Sequence, residues 1–193
     1  TGIGGGMVLD DRLYQGHSGT AGEIGHMVVE IGGPLCACGS RGCLEALASG
    51  TALARMARDR LRIGESSVLS QLYEGELEKL TSEVVFQAAL QGDRLSREVV
   101  ERGATALGVG LAALVNLMNP QLLVVGGGVA AQWKLFIQPA IEHLERIALP
   151  KPAGDVRVVP SELENLAAVL GSVALVQDAA GPVGKNGLPS MGL

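Results

Sequence analysis

Apolar positions at helical spacing organise most of this chain. Leu53, Met56, Ala57 and Leu61 fall on one side of a helix predicted over residues 52–62, with Arg55, Arg58, Asp59 and Arg62 elsewhere around it and Thr51 as its N-cap. From 64 to 80 the pattern loosens into a short helix plus loops. Thr81-Ser82-Glu83 opens a helix through Leu90 that ends at Gly92. A long helix then runs over residues 95–118, apolar nearly all round after Ala104. Gly108 and Gly110 lower its helix propensity, which implies close approach by another element. Asn119-Pro120 stops it, and Leu122-Leu123-Val124-Val125 is a continuous apolar run of the kind buried on both faces of a sheet. Gly126-Gly127-Gly128 follows, then a helix over 134–147, a turn over 150–154, a short strand over 156–159 and an apolar helix over 163–179. Residues 181–193 read as a flexible tail.

The beginning of the chain is patterned for turns. Thr1-Gly2-Ile3-Gly4-Gly5-Gly6 reads as a glycine-rich loop entering a β-hairpin, Met7-Val8-Leu9 and Arg12-Leu13-Tyr14, that turns at Asp10-Asp11. Residues 15–22 form a small-residue loop in which His17 is assigned to the surface. Residues 27–31 read as a strand ending in a Gly-Gly-Pro turn.

Composition narrows the classes of function. The 193 residues suit one domain that buries roughly 70% of its unfolded surface. At 47% hydrophobic, with mean hydropathy +0.31 and net charge −5, the chain offers no basic face for nucleic acid. An aromatic content of 3% leaves no stacking platform for bases either. The arginines at 55, 58, 60 and 62 are the only basic cluster and read as a solvated helix face. The longest apolar run, 104–118, contains Thr105 and Asn116 and falls short of the ~18–20 residues a membrane span needs. No targeting segment is visible, so a cytoplasmic protein is expected, and the apolar composition predicts a homodimer or an exposed adhesive face.

All three cysteines, Cys36, Cys38 and Cys43, lie within one short stretch, and His26 lies ten positions upstream of the first. Three thiols and an imidazole are a ligand set for a closed, structural zinc site, and Gly39 and Gly42 give the backbone the freedom to converge. The alternative is three small buried hydrophobes, since C-x-C is tighter than the commoner C-x2-C spacing. Glycine amides at the first loop, and the strand, glycine loop and helix sequence at Gly126, Gly127 and Gly128, are natural anion sites that also occur as turns binding nothing.

The run Glu23-Ile24-Gly25-His26, then Cys36-Ala37-Cys38-Gly39-Ser40-Arg41-Gly42-Cys43-Leu44-Glu45, resembles the signature of the ROK family of repressors, open reading frames and sugar kinases. The T-G-I-G-G-G element upstream and Asn119-Pro120 with Gly126-Gly127-Gly128-Val129 downstream extend the resemblance to about residue 180. It implies an α/β fold of the actin-like ATPase, ribonuclease H-like (hexokinase) type, with this chain its C-terminal lobe, and a parent that transfers phosphate from ATP to a hexose with Mg2+. It further implies structural zinc on His26, Cys36, Cys38 and Cys43, and hexose contacts from Gly2, Glu23, His26 and Glu45. Gly2, Gly4, Gly5 and Gly6 would lie against the phosphates, and Gly126, Gly127 and Gly128 against the nucleotide. The family's general-base Asp belongs to an Asn-Asp pair upstream of T-G-I-G-G-G. It has no counterpart here, because Asp10 and Asp11 occupy a hairpin turn, so no catalytic residue is expected in this chain. The other branch of the family, sugar-sensing repressors with a separate DNA-binding domain, is the alternative, and the intact glycine elements argue against it.

Overall fold

The computed structural model describes residues 2–73, 75–163 and 166–180; the tail expected at 181–193 lies outside them. Order along the chain is β1 (Val8–Leu9), β2 (Arg12–Leu13), α1 (Glu45–Ala48), α2 (Gly50–Arg62), α3 (Val68–Leu72), α4 (Ser82–Leu90), α5 (Arg94–Met118), β3 (Leu122–Val125), α6 (Gln138–Ile147), α7 (Pro150–Asp155), β4 (Arg157–Pro160) and α8 (Ala167–Ala180).

Helix α5 is the axis of the core, with α6 packed most extensively against it and α4, α1 and α2 around it. Its glycines make that possible. A Cβ at Gly108 would stand 2.3 Å from His143 Cβ and 2.7 Å from the Ala140 carbonyl oxygen, so α6 rests directly on α5 backbone; one at Gly110 would stand 2.8 Å from Leu44 Cδ2 of the segment entering α1. Leu53, Val85, Leu95, Val115, Phe136 and Leu144 fill the buried interior, and Phe86 meets Phe136 edge to face with ring centroids 5.7 Å apart. Each such buried side chain contributes roughly 1.5–3 kcal/mol.

Capping fixes where the helices begin. The Ser49 hydroxyl, one residue before α2, accepts the Ala52 N–H at 3.1 Å, so Ser49 and not Thr51 is the N-cap; Thr51 already lies in the first turn. Asp93 caps α5 by accepting the Ser96 N–H at 2.8 Å, and also accepts from Ser67 Oγ at 3.0 Å and the Val68 N–H at 3.1 Å, tying the starts of α3 and α5 together. Asn119 ends α5 in the left-handed region at φ 44°.

Two short sheets flank these helices. β1 pairs antiparallel with β2, Val8 opposite Leu13, and the turn puts Asp10 and Asp11 at positive φ, as a two-residue type I′ hairpin demands. β3 pairs in parallel with β4, Leu122 opposite Arg157. β3 is not buried on both faces as expected, because only one face is covered by the described residues: Leu122 and Val124 are exposed, Leu123 and Val125 half-buried.

Three other expectations are corrected. Residues 27–31 do not form a strand, because the Val29 and Glu30 N–H groups both converge on the Gly42 carbonyl, leaving single bridges Val28 to Cys43 and Leu35 to Arg41. The predicted turn at 150–154 is helical: proline at the first helical position supplies a preset φ and sacrifices no bonded N–H. The glycine loop after β3 leads first into a 3-10 turn, Gly128–Gln132, and a wide π turn, Trp133–Ile137, before α6 starts at Gln138. No helix among the described residues is long and apolar enough to cross a membrane.

Candidate metal centre and ligand site

The cysteine stretch is a knot of turns. Cys36 N–H donates to the Ser40 carbonyl at 2.8 Å, Gly39 N–H to Cys36 at 3.0 Å and Gly42 N–H to Pro34 at 2.9 Å, while Leu44 N–H reaches back to Met27 at 2.9 Å. Gly39 and Gly42 have φ of 90° and 74°, and a Cβ at Gly42 would overlap the Glu30 carbonyl, so only glycine closes this crossing. Glu30 in turn pairs with Arg102 at 2.9 Å, fastening the knot to α5.

Closing the knot brings His26, Cys36, Cys38 and Cys43 together, their ligand atoms all within 4.8 Å of one another. Cys36 Sγ lies 3.7 Å from His26 Nδ1 and Cys38 Sγ 3.6 Å from Cys43 Sγ. Thiolates about 2.3 Å from a tetrahedral zinc stand about 3.8 Å apart, and a thiolate and an imidazole nitrogen about 3.6 Å. These two separations match a closed zinc site and the whole set needs only a small contraction to reach it, while the three cysteines are free thiols. The thiols differ in setting. A hydrogen bond from the Ser40 backbone, followed by one from Cys36, holds exposed Cys38 below the ordinary thiol value, whereas burial, reinforced by the neighbouring sulfurs, pushes Cys43 up to about 11. A cation at the centre would reverse that penalty, because a coordinated thiol is deprotonated.

Beyond the knot, the two imidazole nitrogens of His26 face different groups: Nδ1 the sulfurs, and Nε2 the Glu23 carboxylate at 3.8 Å. Glu45 is the first residue of α1, two positions after Cys43, and its Oε2 accepts the Ile3 N–H at 2.9 Å. The glycine loop is thus laid directly on the E-x-G-H turn. A Cβ at Gly25 would stand 2.0 Å from the Ile3 carbonyl oxygen, one at Gly22 2.6 Å from that of Gly5, and one at Gly2 2.3 Å from Glu45 Oε2.

Gly4 is different. A Cβ there would meet nothing within 4 Å, and its φ is not in the left-handed region, so the fold does not require glycine at this position. Among the described residues, the exposed Gly4, Gly5 and Gly6 amides have no hydrogen-bond partner. Unpaired amides in a glycine loop, with open space at Gly4, leave donors and room that an anion could use. The second glycine loop meets the start of α2: Val129 lies 3.6 Å from where a Cβ at Gly50, the first residue of α2, would be, and Gly128, like Gly4, has open space around it.

The structure therefore brings Gly2, Gly4, Gly5, Gly6, Glu23, His26, Glu45 and the cysteines into one continuous assembly, with Gly126, Gly127 and Gly128 beyond the α1–α2 junction. His17 is exposed and stands apart. Sequence reasoning missed Ile3, whose backbone joins the loop to Glu45, and Arg102, which anchors the knot; neither carries a local signal, since both act over long chain separations.

Comparison with known proteins decides the family, for the ROK family model matches residues 1–179. The chain belongs to the ROK family. It is 37% identical to a glucokinase of Thermotoga maritima across 94% of this chain and 57% of that protein. It is also 36% identical to the Escherichia coli DNA-binding transcriptional dual regulator NagC, across 92% of this chain and 42% of the regulator. The solved ROK glucokinase of Streptomyces griseus, in complex with glucose and AMPPNP, superimposes with a TM-score of 0.78 at 34% identity, over 91% of this chain and 57% of that one. The chain spans about half the length of the curated relatives it matches. Its mixed α/β architecture is part of the ROK kinase fold, of the actin-like ATPase type.

Proposed function

We propose that this chain carries the zinc, hexose and phosphate-loop portion of an ATP-dependent ROK sugar kinase of the glucokinase kind, a cytoplasmic and homodimeric enzyme. The observation that carries the reading is the direct seating of a glycine loop with three free amides and an open cradle at Gly4 on the Glu23, His26 and Glu45 cluster. In this reading His26, Cys36, Cys38 and Cys43 hold zinc, which cross-links the knot and orients the imidazole, leaving Nε2–H for a sugar hydroxyl. Exposed Glu23 and the second oxygen of half-buried Glu45 accept hydroxyl hydrogens, so an analogue lacking those hydroxyls forfeits these bonds and binds more weakly. Gly4, Gly5 and Gly6 donate to phosphate oxygens, with Gly126, Gly127 and Gly128 bordering the nucleotide, and bound ATP with Mg2+ supplies the γ-phosphoryl group. The exposed apolar residues of β3 and α8 support a further protein surface covering this chain in its working form.

No carboxylate in the chain matches the expected general base, Asp10 and Asp11 being turn residues. The chain by itself is therefore expected to bind zinc and hexose without transferring phosphate. Calorimetric titration of the zinc-loaded chain with glucose, and a coupled phosphorylation assay on it, test this. Binding that is lost in Glu23→Gln, with no turnover, is the expected result; turnover by the 193 residues, or no binding of any aldohexose, overturns it. A repressor parent is the second reading, favoured by the likeness to NagC. Sugar binding without ATP binding would support it.

A further inference from the structure

We infer that Glu45 is a positioning residue for the phosphate loop: one carboxylate oxygen is committed to the Ile3 N–H, so that the zinc knot and hexose cluster set the geometry of Gly4, Gly5 and Gly6. The inference rests on the kinase reading for the name of the loop, but its structural content is independent of it.

Three observations carry it. The Ile3 N–H is donated to Glu45 Oε2 at 2.9 Å, across 42 positions of sequence, so it is withdrawn from any anion and the loop's donors begin at Gly4. Glu45 is itself held by the knot: it opens α1 two residues after buried Cys43, and the Leu44 N–H before it is bonded to the Met27 carbonyl of the His26 turn. The contact is enclosed from the other side as well, because the loop backbone at Ile3 presses on Gly25 and the Gly2 backbone on Glu45 Oε2, so closely that a methyl at either glycine would displace it. A hydrogen bond to a charged acceptor is among the stronger ones a protein makes, and it fixes both the distance and the direction of the peptide that enters the loop. Because the carboxylate has two oxygens, Oε1 remains for a sugar hydroxyl while Oε2 holds the loop. Sugar bound at Oε1 therefore acts on the same side chain that sets the phosphate donors, which gives the two substrates a physical link.

Site-resolved amide hydrogen exchange on the zinc-loaded chain tests this, with zinc content measured in parallel. Ile3 is expected to be protected, and Glu45→Ala to accelerate its exchange about tenfold or more, the size expected for losing a bond to a charged acceptor. The Tyr14 amide, bonded to the Met7 carbonyl in the hairpin, should remain unchanged, and zinc should be retained. Glu45→Gln keeps a carbonyl acceptor and should restore most of the protection, which a role limited to helix packing would not produce. Gly2→Ala leaves Glu45 intact and displaces the contact sterically, so it should accelerate Ile3 as well. Ile3 exchanging at the wild-type rate in either Glu45→Ala or Gly2→Ala overturns the inference. A glucose titration of the same wild-type sample separates the two claims: absence of binding there sinks the kinase reading while leaving the Ile3 result standing.

Discussion

Gly4→Ala separates a glycine kept for a ligand from one kept for the fold. The added methyl meets no heavy atom within 4 Å, and its backbone lies outside the left-handed region. Stability is therefore expected to stay within about 0.5 kcal/mol, or to rise by up to about 1 kcal/mol as the unfolded chain loses freedom. Phosphate is another matter. A Cβ in the cradle keeps an oxygen from closing to about 2.9 Å on the adjacent N–H, and losing one charge-assisted bond costs roughly 1.5–3 kcal/mol, a ten- to hundredfold loss of affinity for Mg-ATP. Gly25→Ala is the control, since its methyl falls 2.0 Å from the Ile3 backbone carbonyl oxygen and must shift the loop and lower stability. Thermal unfolding and equilibrium ATP titration of the two variants are the assays. A folded Gly4→Ala protein that binds ATP as tightly as wild type refutes the reasoning, because open space at Gly4 would then have no bearing on the ligand.

Other consequences are equally direct. Cys43→Ser should release zinc and lower stability by several kcal/mol, on the order expected when metal binding is coupled to folding, and elemental analysis with thermal unfolding would detect both. Partial burial opposes the charge on Asp93, but hydrogen bonds from Ser96, Val68 and Ser67 outweigh it and hold the carboxyl below its ordinary value. Its contribution is then complete above the unfolded carboxylate value near pH ~3.9 and is lost as pH falls through the lower folded value. Urea unfolding against pH should accordingly show a shallower acid-side decline in Asp93→Asn, and Asp93→Ala should cost about 1–2 kcal/mol through the lost cap. Gly108→Ala drives a methyl into His143 and the α6 backbone, so a loss of about 1–3 kcal/mol in chemical denaturation is expected from overpacking.

Much of this protein was legible along the chain. The hairpin with its Asp-Asp turn, the helices beginning near 82 and 95, and the helix stop at Asn119-Pro120 all rest on neighbouring residues, whose backbone preferences act within a few positions. Gly108 and Gly110 also announced a close contact, because a helix that tolerates poor formers has a packing reason. The four residues of the knot could be picked out as one candidate set, because glycines in a short span permit closure, but it was the family resemblance that favoured zinc ligands over buried hydrophobes.

Errors arose where a local preference competed with distant partners. Apolar residues 27–31 suit a strand, but their N–H groups are drawn to Gly42 across the knot. Leu122 to Val125 suit a doubly covered strand, yet burial depends on which layers are present around it. The sequence by itself located most helices, which follow from short-range periodicity, and offered candidate metal and anion groups by residue type; the hydroxyl-binding candidates came from the resemblance to the ROK family. Only the tertiary structure decided that Ile3 bonds Glu45, that a methyl has room at Gly4 but collides at Gly2, Gly22 and Gly25, and that two nitrogens of one imidazole face two different groups. Those are relations between atoms far apart in the chain, set by how the helices pack, and no pattern along the sequence encodes a distance.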